Sequence, residues 1–125
     1  MLRNGGLLID ARPDSRRLSG VLHGERAVGT LGTTRDTLVD DRAADRAIAR
    51  VKREGLFRSR RDGGFMHHVA FAGIEAMQTY LNEHARLVRR VRWRVDAAER
   101  RRWRDDTFRI ERPIRYELLE RLGER

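Results

Sequence analysis

Cysteine is absent from this 125-residue chain, and lysine occurs only once, at Lys52. Without cysteine the chain has no disulfide framework, no thiolate zinc site and no cysteine nucleophile, and this composition suits the reducing cytoplasm. Long apolar runs are also missing near the amino end, where Leu7 to Ile9 is followed at once by Asp10. That stretch is far shorter than a signal sequence or a membrane span. We therefore expect a cytoplasmic protein that does not enter a membrane.

The length and composition are those of one folded domain. A chain of this size buries about two-thirds of the surface that its unfolded form exposes. Hydrophobic residues make up 39% of the sequence and charged residues 38%. Because charges of both signs are interspersed rather than blocked, wholesale disorder is disfavoured. We predict a single domain over residues 1–125.

The first third of the chain is typical of strands and turns. Gly6 to Ala11 is a short apolar run, Pro13 to Ser15 has turn chemistry, and the stretch from Gly20 to Leu31 is broken at His23 to Arg26. We predict two or three strands in this region.

A helix is predicted from Asp40 onwards. Asp40 and Asp41 suit the positive amino end of a helix, basic residues occupy its last turns, and Gly55 suits its carboxyl cap. One apolar stripe contains Ala44, Ala47, Ile48 and Val51.

The next segment predicts a hairpin. Asp62-Gly63-Gly64 is a turn that can take positive φ, and it lies between residues 56–61 and 65–72. Alternation from Phe65 to Phe71 places apolar residues on one face of the second strand.

The stretch between Gly73 and Pro113 contains no glycine or proline, which favours helix. Apolar positions recur at steps of three and four: Ile74, Met77, Leu81, His84, Val88, Val91, Val95 and Ala98. This pattern allows one long helix, or two with a break near Leu87 to Trp93, where the residues also alternate as in a strand. A coiled-coil seam is an alternative, but packing on the sheet of the same domain is favoured.

The carboxyl-terminal segment predicts a final strand. Phe108, Ile110, Ile114, Tyr116 and Leu118 fall on one face, and charged residues fall on the other. Pro113 lacks a backbone donor, so we expect an edge strand or a bulge there, and the alternative is a helix that begins at Pro113. These elements predict an α+β fold with a small mixed or antiparallel sheet and two or three helices packed on it.

Histidines and paired carboxylates are the first candidates for catalysis. His67 and His68 are adjacent on a predicted strand, so they point to opposite faces and cannot share one metal as an i, i+4 helical pair can. His84 lies on the apolar stripe, where a hydrogen-bonded core histidine is expected.

The acid pairs are interpreted structurally. Asp40 and Asp41 would stabilise the positive amino end of a helix, and Asp105 and Asp106 could neutralise the preceding arginines. The chain also lacks the Gly-x-Ser-x-Gly, Gly-x-x-x-x-Gly-Lys and Gly-x-Gly-x-x-Gly motifs. We predict no catalytic residue, no cofactor or cofactor-binding residue and no metal site.

Positive charge is concentrated in residues 86–104, the arginine segment. It contains nine arginines against Asp96 and Glu99, which is a net charge of +7 within a total of +9. Guanidinium groups neutralise phosphates, and Trp93 and Trp103 could stack on bases. Polyanion or nucleic-acid binding is therefore an alternative function, and the competing interpretation is a solvated helix face. The candidate residues are Arg89, Arg90, Arg92, Arg94, Arg100, Arg101 and Arg102.

The opening segment resembles part of a known family. Leu2-Arg3-Asn4-Gly5-Gly6-Leu7-Leu8-Ile9-Asp10-Ala11-Arg12-Pro13 is similar to a late segment of class I S-adenosylmethionine-dependent methyltransferases, where two glycines turn the chain from a helix into a strand. The helix opening at Asp40 and a hairpin followed by a helix at Ile74 look like the carboxyl-terminal part of some members.

The resemblance implies a distal half without a cofactor site. In that family the cofactor lies on a glycine-rich turn after the first strand, with an acidic residue after the second, and neither is matched here. Apolar surfaces left open would be covered most simply by self-association. We therefore predict a non-catalytic α+β domain that acts in assembly or partner binding as a homo-oligomer, most simply a dimer.

Overall fold

The structure, a computed structural model, describes residues 5–123; Leu2, Arg3 and Asn4 of the family-like segment lie outside the described residues. Within that range all strand pairs are antiparallel and belong to one six-stranded sheet flanked by three helices. The predicted α+β class is confirmed, and the sheet is antiparallel rather than mixed. The elements in chain order are β1 (Leu7–Pro13), β2 (Ser19–His23), β3 (Arg26–Leu31), α1 (Arg35–Arg53), β4 (Phe57–Phe71), α2 (Ile74–Glu83), β5 (Arg92–Trp93), α3 (Ala97–Arg102) and β6 (Phe108–Arg121).

The predicted final strand, β6, is the centre of the sheet. On one side it pairs with β4 along its whole length. On the other side, residues 114–120 pair with β1 and residues 108–111 pair with β2. Strand β3 then pairs with β2, and β5 pairs with β3. The first third of the chain thus contains three strands, in agreement with the prediction of two or three.

Pro113 lies in this central strand rather than at an edge, so the expected edge position is wrong. The Pro113 carbonyl accepts a hydrogen bond from the Asp14 N–H (2.8 Å), on the side of β1 and β2. A strand residue directs its nitrogen and its carbonyl to the same side. The nitrogen of Pro113 therefore faces the gap between β1 and β2, where no ladder donor is needed.

The predicted hairpin at Asp62-Gly63-Gly64 is wrong. Strand β4 runs without reversal through these residues, with one register shift between Ser59 and Arg61. The positive-φ glycines of the described chain are Gly5, Gly24 and Gly55, so Gly63 and Gly64 do not form a left-handed turn. Gly63 instead makes room for Tyr116, because a Cβ at Gly63 would lie 2.8 Å from the Tyr116 hydroxyl oxygen.

Helix α1 begins at Arg35, five residues before the predicted start. The Thr34 side chain caps it by accepting from the Thr37 N–H, so Asp40 and Asp41 lie within the helix rather than at its amino end. The predicted carboxyl end is confirmed. Gly55 has φ +74°, and the Leu56 N–H donates to the Val51 carbonyl (3.0 Å), which is a Schellman arrangement.

The apolar stripe over residues 74–98 is divided between two helices, so one continuous helix is excluded. Helix α2 ends at Glu83, and His84 caps it, with its Nδ1 2.7 Å from the Tyr80 carbonyl. The chain then runs extended into β5, as the alternation at residues 91–95 had allowed, before α3 begins under the Asp96 cap. The break near Leu87 to Trp93 is therefore confirmed.

Apart from Leu119, which alternation places on the opposite face, the buried hydrophobic residues form one core on one face of one half of the sheet. Phe108 and Ile110 of β6 pack there with Met77 and Leu81 of α2. The remaining buried members are Val21, Val28, Leu31 and Val95. Helix α1 lies on the opposite face, over the other half of the sheet, and it has no buried residue. Each face of the sheet is therefore covered over only part of its length.

Candidate functional site

The arginine segment borders the sheet along β3. Val88 forms an isolated antiparallel β-bridge with Thr33. The Arg89 N–H donates to the Gly32 carbonyl and the Arg94 N–H donates to the Val28 carbonyl, each at 2.8 Å. The approach is close at Gly29, where an added Cβ would lie 2.9 Å from a Val91 methyl group. The backbone of residues 88–95 is therefore held against the edge of the sheet by its hydrogen bonds.

Alternation along this extended stretch separates apolar residues from arginines. Val91, Trp93 and Val95 pack on the core. Arg90, Arg92 and Arg94 are exposed on the other side. Arg89, Arg101 and Arg102 are exposed as well.

Arg100 is the exception among the seven candidates. It is half-buried, its guanidinium donates to the Val95 carbonyl (2.8 Å), and it lies 5.0 Å from the Trp93 ring centroid. Its role is therefore structural.

The two tryptophans, which could stack on bases, are half-buried and have aromatic or cation–π contacts within the chain. Trp103 stacks on His23 with ring centroids 4.2 Å apart, and it also packs near Phe108. Trp93 packs on the core and carries the Arg100 guanidinium. Both rings are engaged by their own chain.

The carboxylates of the segment do not neutralise its arginines. Asp96 accepts from the Glu99 N–H as the cap of α3, and Glu99 lies 3.7 Å from Arg26. Asp106, expected to answer the arginines, pairs instead with His23 (2.9 Å). Among the described residues, none of the nine arginines forms a salt bridge. The positive charge of this segment is thus left uncompensated.

The candidate arginines do not form one patch. One open depression of about 610 Å³ is lined by three of them with loop residues from the sheet; we call it the arginine groove, and its members are Leu18, Gly32, Thr33, Arg89, Arg90 and Arg92. Arg101 lies at a second hollow, with Ile74, Glu75 and Arg104. Arg94 and Arg102 line neither depression.

The histidines do not converge. His67 and His68 are both exposed on β4, and His68 lies 3.1 Å from Glu111. His84 is hydrogen-bonded at its helix end, as expected for a structural histidine. Residues 5–123 contain no group of three or more histidine or carboxylate side chains that could hold a metal ion.

A charged cleft of about 420 Å³ separates α1 from the sheet. Arg12 is its hub, because it pairs with Asp10 (3.0 Å) and Asp45 (2.7 Å) and lies 4.0 Å from Asp41. Arg115 also pairs with Asp45, and Lys52 pairs with Glu117 (3.0 Å). These ion pairs link the helix to the sheet.

Burial and pairing act in opposite directions on these groups. Burial by itself would raise the pKa of Asp45, but hydrogen bonds and charges from Arg12 and Arg115 hold it below its ordinary value. Burial likewise opposes the shift at Glu117, whose pKa is lowered by Lys52 and Ser59. At Arg12 burial is outweighed by Asp45 and Asp10, and its pKa is raised. Arg12, Asp45 and Glu117 are thus held in ion pairs, whereas Asp41 has a buried Oδ2 without a hydrogen-bond partner among the described residues.

The surface that sequence reasoning missed is an uncovered part of the sheet. Helix α2, with Val95 and Trp103 on either side of α3, covers only the half that contains Phe108 and Ile110. Register and alternation place six residues on the same face over the other half, the apolar platform: Leu7, Ile9, Phe65, Ile114, Tyr116 and Leu118. Ile9 is 68% exposed, Leu7 54% and Phe65 53%. The alternation of β6 predicted that Ile114, Tyr116 and Leu118 share an apolar face, but it did not indicate that no helix covers that face.

Comparisons with known proteins add no relative. No family model, no curated protein and no solved structure matched this chain. The methyltransferase resemblance therefore stays a prediction. None of the helices in the described part of the chain is both long and apolar enough to cross a membrane.

Proposed function

We propose that this protein is an assembly domain whose apolar platform binds a second copy of the same chain. The observation that carries the proposal is the uncovered face, on which Ile9 and Phe65 are more than half exposed although they lie in regular strands. Large exposed apolar patches mark interaction sites. The cysteine-free composition suits the cytoplasm as the place of this assembly.

A second copy suits this face better than a charged partner. The platform consists mainly of apolar side chains; Arg61 lies on the same face opposite Leu118, and the Glu120 pair with Arg58 lies at its end. The other exposed large hydrophobics of the described chain are scattered over loops, α1 and the opposite face of the sheet: Leu8, Leu18, Val39, Leu56, Met66 and Leu87. Two platforms packed face to face would form a sandwich with strands crossing at about 30°.

The size of the platform indicates a reversible dimer. Three strands about 4.8 Å apart, each with about seven residues rising 3.3 Å, cover about 14 by 23 Å. Interfaces that bury less than about 1,200 Å² in total are weak or transient. We therefore expect a dissociation constant in the micromolar range, about 1–100 µM. Since the contact is apolar, raising the salt concentration leaves it unchanged or strengthens it.

Sedimentation equilibrium of the wild type and of two variants tests the proposal. Ile9→Glu places a charge on the platform, and Val39→Glu, at a residue that is 53% exposed on α1, is the matched control. We expect Ile9→Glu to weaken dimerisation more than tenfold, because a carboxylate would be buried without a partner. Val39→Glu should dimerise as the wild type does.

Two results would contradict this proposal. A wild type that stays monomeric at 500 µM, a concentration well above the expected dissociation constant, rules out self-association as the function of the platform. A wild-type dimer that Ile9→Glu leaves intact shows that the dimer uses another surface. Circular dichroism of each variant confirms that the fold is retained.

A further inference from the structure

We propose that the arginine groove binds the phosphate backbone of nucleic acid without sequence specificity. This inference concerns a different surface from the apolar platform and goes beyond self-association. Arg89, Arg90 and Arg92 line the groove. All three are exposed, and none has a salt-bridge partner among residues 5–123.

The groove is held open by backbone contacts rather than by its arginines. The Arg89 N–H bonds to Gly32, and Arg92 pairs with Thr30 in the ladder between β5 and β3. The backbone is therefore fixed while the guanidinium groups stay free. Alternate residues of an extended chain lie about 6.6–6.8 Å apart on one side, which places Arg90 and Arg92 as neighbouring cations along the groove. Such an arrangement matches an extended polyanion, and guanidinium groups bind phosphate oxygens in pairs.

Charge and edge length favour nucleic acid over an acidic peptide. A peptide would add to the sheet as a new strand, but β5 has only two residues and offers too short an edge. The whole chain has a net charge of +9 and a pI near 11.4, which is the electrostatic character of nucleic-acid-binding proteins.

The binding should ignore base identity. Trp93 and Trp103 are half-buried and packed within the chain, and neither lines the arginine groove. Phosphate contacts alone position a protein on nucleic acid and do not specify sequence. Duplexes of different sequence should therefore bind with similar affinity.

Fluorescence anisotropy with two labelled 20-base-pair DNA duplexes of unrelated sequence tests this inference. The wild type is compared with the triple variant Arg89→Gln, Arg90→Gln, Arg92→Gln at 50–200 mM salt. Each lost phosphate contact reduces the magnitude of the slope of log K against log salt by about 0.9. The slope of the triple variant should therefore be smaller in magnitude by about 2–3, and its affinity at 100 mM salt should be more than tenfold weaker.

The matched control removes the same charge from the outer face of α1. Arg42, Arg46 and Arg53 are exposed there without salt-bridge partners in the described chain. Changing all three to glutamine should alter the affinity by less than about threefold, since charges beyond a Debye length of about 10 Å are largely screened.

Three results would overturn the assignment to nucleic acid. The first is wild-type binding weaker than 100 µM for both duplexes at 50 mM salt. The second is an equal loss of affinity in the groove variant and in the α1 variant. The third is binding of poly-glutamate as tight as that of the duplexes. Repeating the titration with Ile9→Glu separates the two proposals, because a groove that acts independently of the platform binds DNA equally well in this variant.

Discussion

The contact between Gly63 and Tyr116 distinguishes the observed strand from the predicted hairpin. Gly63 pairs with Tyr116 across β4 and β6. A Cβ at Gly63 would lie 2.8 Å from the Tyr116 hydroxyl oxygen and 3.0 Å from both Cε1 and Cζ. Favourable contacts between carbon atoms are about 3.5–4.0 Å, so the tyrosine ring would have to move as a body. Gly63→Ala should therefore be destabilising because of Tyr116.

Two opposing effects set the size of this loss. Alanine restricts the unfolded chain, which stabilises a protein by about 0.4–1 kcal/mol where the native backbone is compatible. Gly63 meets that condition because it is not among the positive-φ glycines. Inserting a methyl group into an occupied space costs about 1–3 kcal/mol. The net expectation is a destabilisation of about 1–2 kcal/mol, with the overpacking cost the larger of the two effects.

A double-mutant cycle measures this effect directly. Urea unfolding in dilute solution is compared for the wild type, Gly63→Ala, Tyr116→Val and the double variant. In the Tyr116→Val background the Gly63→Ala change should become neutral or stabilising, which gives a coupling energy of about 1–3 kcal/mol, the overpacking cost. Gly20→Ala in β2 is the control. A Cβ at Gly20 would lie 3.8 Å from a Glu111 carboxylate oxygen, which is an ordinary contact, and we expect a gain of about 0.4–1 kcal/mol.

A turn glycine would behave differently in this cycle. If residues 62–64 formed a turn with positive φ, the alanine penalty would come from the backbone and would persist in the Tyr116→Val background. A coupling energy below about 0.3 kcal/mol, which is within the error of additivity, would therefore refute the continuous strand.

Two further predictions concern the cleft and the core. Because the pKa of Asp45 is lowered in the folded state, its ion pairs contribute stability above the unfolded pKa of about 3.9, and this contribution is lost as the pH falls through the folded pKa. Asp45→Asn should therefore lose less stability than the wild type between pH 7 and pH 3 in urea titrations. Glu25→Gln, at a 97% exposed side chain, is the control and should follow the wild type. If the stability of Asp45→Asn falls with pH as steeply as that of the wild type, the role of these pairs is contradicted. Phe108→Ala, at a fully buried residue, should lower the free energy of unfolding in urea by about 3–5 kcal/mol. Phe65→Ala, on the open platform, should lower it by less than about 1 kcal/mol. Equal losses would show that the platform is covered within the monomer.

Local patterns in the sequence were sufficient for several elements. The alternation of β6, the break of the first third into three strands and the carboxyl end of α1 at Gly55 follow from neighbouring residues alone. The amino end of α1 was missed because Asp40 and Asp41 resemble a helix start, while the side chain that caps the helix is Thr34. Both kinds of residue suit a first turn, and only the geometry distinguishes them.

The candidate sites depended more strongly on tertiary contacts. The sequence indicated where the positive charge lies, but Arg100 and the two tryptophans are taken up by contacts that no spacing indicates. The groove arises because residues 88–94 lie against β3, which is about sixty residues earlier in the chain.

What the sequence determined by itself is the period of each segment and the chemistry of its ends, because these depend on residues within about one helical turn or one strand. The tertiary structure decided which strands pair with β6, where the stripe over residues 74–98 breaks, and which apolar face stays open. Those outcomes depend on contacts between residues far apart in the chain, such as Gly63 with Tyr116 and Thr30 with Arg92. A side chain of suitable period can meet several partners, and only the packed fold selects one.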